Sequence, residues 1–116
     1  DSLNNKKIIL NNNRNILRDY IYISDLTDIL RQLLKKQFIG ILNIGSFKSR
    51  TIHEYAKLIS KYTKAKIIID KDISIQRSYD VKISGSKLHK LIEKKIVSID
   101  ANIIKMIKSK KNDLIK

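Results

Sequence analysis

Two cations stand out for the chemistry they could do. Arg18 opens the stretch Arg18-Asp19-Tyr20-Ile21-Tyr22-Ile23-Ser24-Asp25-Leu26, and Arg77 lies in an irregular segment three residues before Asp80. A guanidinium presents a rigid fork of N–H donors that suits an anion. Tyr20 and Tyr22 add hydroxyls beside Arg18, at a place where a strand runs into a helix and a loop leaves room for a ligand. An anion is the natural guest. Read singly, each Arg fits equally well a solvated charge or a structural ion pair, Arg77 with Asp80 for instance.

Other candidates are weaker. Tyr62 and Lys66 have the spacing at which a Lys lowers a tyrosine pKa so that the phenolate can exchange a proton with substrate. The many Tyr and Lys of this chain produce about one such pair by chance, and here Tyr62 ends a helix while Lys66 starts a strand. Gly40 and Gly45-Ser46 half resemble a phosphate-binding loop, but Ser46 stands where the loop needs its Lys. Three Gly cannot build a dinucleotide-binding turn. With no Cys there is no thiol nucleophile, disulfide framework or Cys-based metal site, and His53 and His89 stand apart as surface residues.

The formal charge is +14, from 25 Lys and Arg against 11 Asp and Glu. Such a chain attracts polyanions through long-range steering. Only five of those cations are Arg, however, and Lys is scattered over nearly every segment, which is the mark of composition rather than of a binding face. A dedicated nucleic-acid role is therefore disfavoured, since no recognised motif accompanies the charge. No apolar run approaches the roughly 18 residues that span a bilayer and no signal peptide opens the chain, so the cytoplasm is the expected compartment. The chain does not open on Met, which points to a missing upstream part.

The elements that must position these residues follow from periodicity. Residues 6–10 and 18–23 read as strands, neighbours or a hairpin, and Ser24-Asp25 as the N-cap of a helix to about Gln37 whose apolar face is Leu26, Ile29, Leu30, Leu33 and Leu34. Ile41-Leu42-Asn43-Ile44 reads as a strand closed by Gly45-Ser46. Thr51 and Glu54 have capping-box spacing before a helix to about Lys61, and Lys66 to Ile69 form a further strand. Residues 70–85 are irregular. A short helix follows from Lys87 to about Lys94, then a last helix, capped by Ser98 or Asp100, through Met106. The basic tail 108–116 is expected to fray. The pattern is α/β, one partial domain over 1–116, with three to four short strands and four helices.

Taken in order, these segments resemble the C-terminal portion of the NAD(P)-dependent epimerase/dehydratase family, the extended short-chain dehydrogenase/reductases that act on nucleotide sugars. Arg18 to Leu26 is similar to the family's Arg-Asp-Phe/Tyr-Ile-His/Tyr-Val-x-Asp-Leu, and Ile41 to Ser46 to its Tyr-Asn-(Ile/Leu)-Gly-Ser strand and turn. Arg77-Ser78-Tyr79-Asp80 resembles Arg-x-x-Asp, Ser84-Gly85-Ser86-Lys87-Leu88 resembles Asp-x-Ser-Lys-(Ala/Leu), and residues 98–107 the closing helix. Ser84 stands where the family has Asp, and the Gly-Trp-x-Pro stretch before the last helix is absent.

The resemblance implies a substrate-binding segment in which Arg18 and Arg77 reach the diphosphate of a nucleotide sugar. It further implies that Tyr20 lines that site, that Asp80 holds Arg77 or a ribose hydroxyl, and that Asp25 starts its helix. NAD or NADP and the catalytic Tyr and Lys would belong to a missing N-terminal Rossmann half, leaving this segment inactive and without cofactor by itself. Parents of this kind are often homodimers. The rival reading is a non-catalytic basic module that binds nucleic acid or another polyanion.

Overall fold

The computed structural model describes residues 2–71, 79–93 and 99–115. Arg77 lies outside them. The first strand, β1 (Lys7–Leu10), follows a single helical turn, α1 (Ser2–Asn5), and precedes a 3-10 turn at Asn12–Asn15. Next come β2 (Leu17–Arg18), α2 (Ile23–Lys35), β3 (Arg50–Thr51), α3 (Ile52–Thr63) and β4 (Lys66–Ile69). Two helices close the order, α4 (Ser86–Leu91) and α5 (Ile99–Ile115). Four short strands and four helices beyond the first turn make the α/β class that periodicity predicts.

The pairing differs from the expected hairpin. β1 lies parallel to β4, in register from Lys7 opposite Lys66 to Leu10 opposite Ile69, while β2 runs antiparallel to β3. Parallel neighbours need a long crossover, and here α2 and α3 lie between them in the chain. Helix α3 leads directly into β4 through Lys64, which stops the helix in the left-handed conformation at φ 62°. Ser60 Oγ donates to the Ala65 carbonyl at 2.7 Å and fixes that turn.

Of the strand expected over 18–23 only Arg18 is in a strand, the two-residue β2, and the cause lies in its neighbours. β3 offers just Arg50 and Thr51 as partners, and Asp19 turns its carboxylate onto another loop. The N-cap of α2 is then Tyr22, not Ser24 or Asp25. Asp25 is buried in the first helical turn, only 3 % exposed, where its carboxylate accepts from Asn102 Nδ2 of α5 at 3.1 Å. Residues 41–44 are not a strand, because no neighbouring strand is present among the described residues. At the other end the last helix does not stop near Met106 but continues to Ile115.

The capping box forms as its spacing predicts. Thr51 Oγ1 accepts from the Glu54 N–H at 3.1 Å, and Glu54 Oε2 accepts from the Thr51 N–H at 2.7 Å. These bonds to the Thr51 backbone and hydroxyl hold the Glu54 carboxyl below the usual carboxylate range.

Ile29, Leu88 and Ile92 make the buried centre, with Ile21, Leu33, Leu42, Ile44, Phe47 and Leu91 packed around it. It joins α2 to α4. Phe47, itself at φ 59°, lays its ring so close to Gly85 that a Cβ there would sit 2.5–2.6 Å from three ring atoms. Gly85 is therefore required by packing. The described chain is thin, 46 × 41 × 17 Å.

Two outcomes follow from these contacts. Gly85→Ala overpacks the Phe47 contact and should lower stability by about 1–3 kcal/mol, read as a lower urea midpoint at unchanged slope. For Glu54, whose folded pKa is depressed, the stabilisation is complete above the unfolded value of about 4.3 and disappears as pH falls through the lower folded value. The Tm advantage of the wild type over Glu54→Gln should thus be present at pH 6 and vanish as the pH falls through the lowered pKa of Glu54.

Candidate functional site

Arg18 is half-buried at the end of β2, and its side chain turns toward the segment that follows Arg77 in the chain. Nη1 donates to the Tyr79 carbonyl at 2.6 Å and to the Leu17 carbonyl at 2.8 Å. Asp80 sits on the same edge, where Oδ1 accepts from the Leu17 N–H at 2.9 Å. The Val81 N–H donates to the Leu17 carbonyl at 3.0 Å, and Ser49 Oγ donates to the Val81 carbonyl at 2.9 Å. Residues 79–81 are in this way laced along β2. Three of the four residues predicted from sequence, Arg18, Tyr20 and Asp80, lie on or beside this edge, and the fourth, Arg77, precedes it in the chain.

Tyr20 is half-exposed and meets Tyr55 edge-on, with ring centroids 5.0 Å apart. Tyr55 is buried on the inner face of α3, and burial pushes its phenol above the usual tyrosine range. Its hydroxyl donates to the Arg18 carbonyl at 3.3 Å. The backbone beneath the Arg18 guanidinium is thereby held from the α3 side, and the phenol stays protonated at neutral pH.

Asp19 does what the sequence did not disclose. Its two carboxylate oxygens accept separately from the N–H groups of Ser46 and Phe47, at 2.7 and 2.8 Å. Gly45 is buried beside them, where an added Cβ would lie 3.2 Å from Asp19 Oδ2 and 3.0 Å from Ile83 Cδ1. The turn after residue 44 is shaped around a carboxylate. No local pattern announces a partner so far along the chain.

Arg50 is the second residue missed. It makes a forked pair with Asp100, Nη1 to Oδ1 and Nη2 to Oδ2, the latter at 2.8 Å. The hydrogen bond to Asp100 raises the Arg50 pKa above its ordinary value. This pair ties β3 to the first turn of α5. Its role is architectural.

The Tyr62–Lys66 spacing carries no catalytic geometry, because Tyr62 is inside α3 and Lys66 opens β4 beyond the left-handed stop at Lys64. His89 packs edge-on against Phe47 at 5.2 Å. Among the described residues no three His, Asp or Glu gather as metal ligands, and no helix is long and apolar enough to cross a membrane. A surface hollow of about 260 Å³ lies elsewhere, lined by Tyr22 and by Lys105, Met106, Ser109 and Lys110 of α5. Arg18, Tyr20 and Asp80 do not line it.

The site's construction makes one strong demand on stability. Asp19→Ala strands two backbone donors in a half-buried turn and should cost about 2–4 kcal/mol, measured by chemical unfolding. Asp19→Asn, which keeps one carbonyl acceptor, should cost less.

No protein-family model and no curated protein matches this sequence. Solved structures do. A NAD-dependent NDP-hexosamine 5,6-dehydratase, TunA, involved in tunicamycin biosynthesis, superposes with a TM-score of 0.75 at 16% identity, over 88% of this chain and 34% of its own. The GDP-mannoheptose C4 reductase MlghC from Campylobacter jejuni, with NADP bound, gives 0.73 at 20% identity over 92% and 33%. A UDP-N-acetylglucosamine 4-epimerase from Methanobrevibacter ruminantium, in complex with UDP-N-acetylmuramic acid, gives 0.67 at 19% identity over 91% and 35%. This chain spans about a third of the length of each of these enzymes, and its fold is that of their C-terminal part.

Proposed function

We propose that this chain is the substrate-binding segment of an NAD(P)-dependent nucleotide-sugar epimerase, dehydratase or reductase, and that Arg18 and Arg77 grip the diphosphate. The observation that carries the reading is the bond from Arg18 to the Tyr79 carbonyl. Tyr79 is two residues along the chain from Arg77, so the Arg18 guanidinium is held to a residue that is close to Arg77 in sequence. Two forked cations on one anion give charge-assisted hydrogen bonds, each stronger than a neutral bond.

Tyr20, half-exposed beside Arg18, lines the same site. Asp80 acts through the backbone, holding residues 79–81 against β2. Dinucleotide binding and the catalytic tyrosine belong to a Rossmann half outside this chain. In support, Gly45 and Gly85 are used inside this fold, against Asp19 and Phe47, and neither leaves a cradle for a phosphate. When bound, NAD(P) would supply hydride transfer to and from the sugar, and this segment would supply grip and orientation. The parent acts in the cytoplasm as a homodimer on this reading.

Calorimetric titration of UDP- and dTDP-sugars tests the site. Arg77→Ala should weaken binding about tenfold or more, the loss of a charged hydrogen-bonding partner, with little dependence on ionic strength beyond that of two contacts. Equal binding by wild type and variant removes Arg77 from the site. Binding that instead collapses steeply with salt for any polyanion favours the basic-module reading.

A further inference from the structure

The surface hollow beside α5 lies apart from the edge that carries Arg18, Tyr20 and Asp80. Its walls are Tyr22, the N-cap of α2, and Lys105, Met106, Ser109 and Lys110 of α5. At about 100° per residue these four positions of α5 occupy one arc of about 140°, in the angular order Lys105, Ser109, Met106, Lys110. Two ammonium-bearing side chains thus stand at the rims of the arc. A hydroxyl and a thioether lie between them, and a phenol completes the wall.

The charge at this hollow is uncompensated. Lys111 of the same helix donates to the Tyr62 carbonyl at 3.1 Å, toward α3, and Lys108 falls outside the arc. Among the described residues the ammonium groups of Lys105 and Lys110 join no ion pair or hydrogen bond. The carboxylates of α2 and α5 are engaged elsewhere or stand off. Asp25 accepts from Asn102, about one turn before the hollow, Asp28 pairs with Arg31, and Asp100 is held by Arg50. Asp113, about one turn beyond Ser109, shares the arc but pairs with neither lysine. Two cations flanking one hollow repel each other, and a doubly negative guest removes that cost.

We propose that this hollow binds a compact phosphate monoester, its phosphate held by Lys105 and Lys110 and its organic body against Met106 and the Tyr22 ring. A phosphate monoester carries nearly two negative charges at neutral pH and three strong acceptor oxygens. That matches two ammoniums together with the hydroxyls of Tyr22 and Ser109, whereas a carboxylate leaves one cation unanswered. The volume of about 260 Å³ equals roughly nine waters at about 30 Å³ each, room for a sugar ring as well as a phosphate. A phosphate alone leaves most of it empty. The site is independent of the proposed substrate segment, since Arg18, Tyr20 and Asp80 do not line it.

Met106 is the single methionine of the sequence, so an isotope-labelled methyl group reports on the hollow by nuclear magnetic resonance. Glucose 6-phosphate should shift that signal to saturation, inorganic phosphate only at several-fold higher concentration, and glucose not at all. Lys105→Ala and Lys110→Ala should each weaken binding about two- to fivefold, the worth of an exposed ion pair, while Asp113→Asn should strengthen it. Lys108→Ala removes the same charge outside the arc and should leave binding unchanged. A methyl signal that stays in place overturns the proposal. Equal weakening by Lys108→Ala does so too, because net charge would then be the cause. Equal binding of inorganic phosphate and glucose 6-phosphate also overturns it, leaving an adventitious ion only.

Discussion

Arg18 and Asp19 are neighbours in sequence and work in opposite directions. The guanidinium captures the carbonyl of Tyr79, and the carboxylate captures the N–H groups of Ser46 and Phe47. Two adjacent residues thus join three parts of the chain that are distant in sequence. Both contacts are between a charged side chain and backbone dipoles, which are stronger than neutral hydrogen bonds and sensitive to geometry. Asp80, Val81 and Ser49 reinforce that anchorage by lacing 79–81 along β2, and Gly45 is buried beside the Asp19 carboxylate.

The same economy holds α5. Its first turns are fastened by Arg50 to Asp100 and by Asp25 to Asn102, one pair half-exposed and one buried. A slab 17 Å thick has room for little more than one helix layer on a partial sheet, and its central apolar cluster is small. Polar ties therefore carry orientation that a deeper core would supply by packing. Removing one partner of the buried pair would leave a desolvated polar group behind, so that tie fixes register as well as contact.

Much of the framework was legible because its signals are local. Thr51 and Glu54 are three residues apart and form the box their spacing predicts, and the β-branched run at 66–69 becomes β4. The order of motifs also carried the family resemblance, which the structural neighbours support at the level of fold. What escaped was everything decided at a distance. Tyr20, Ile21 and Tyr22 have the alternation of a strand but only two residues of β3 stand opposite β2, and Asp25 has the chemistry of a cap but is recruited by Asn102 from the far end of the chain. The partners of Asp19 and Arg50 lie equally far off, and neither spacing nor residue type points to them.

The parallel pairing of β1 with β4 has a kinetic meaning. Lys7 and Lys66 enclose a loop of about sixty residues, so the closure entropy of that loop weighs against their ladder until it is complete. Helices α2 and α3 form from nearest-neighbour signals and need not wait. The first strand is thereby held by a contact remote in sequence, a latch across the intervening helices.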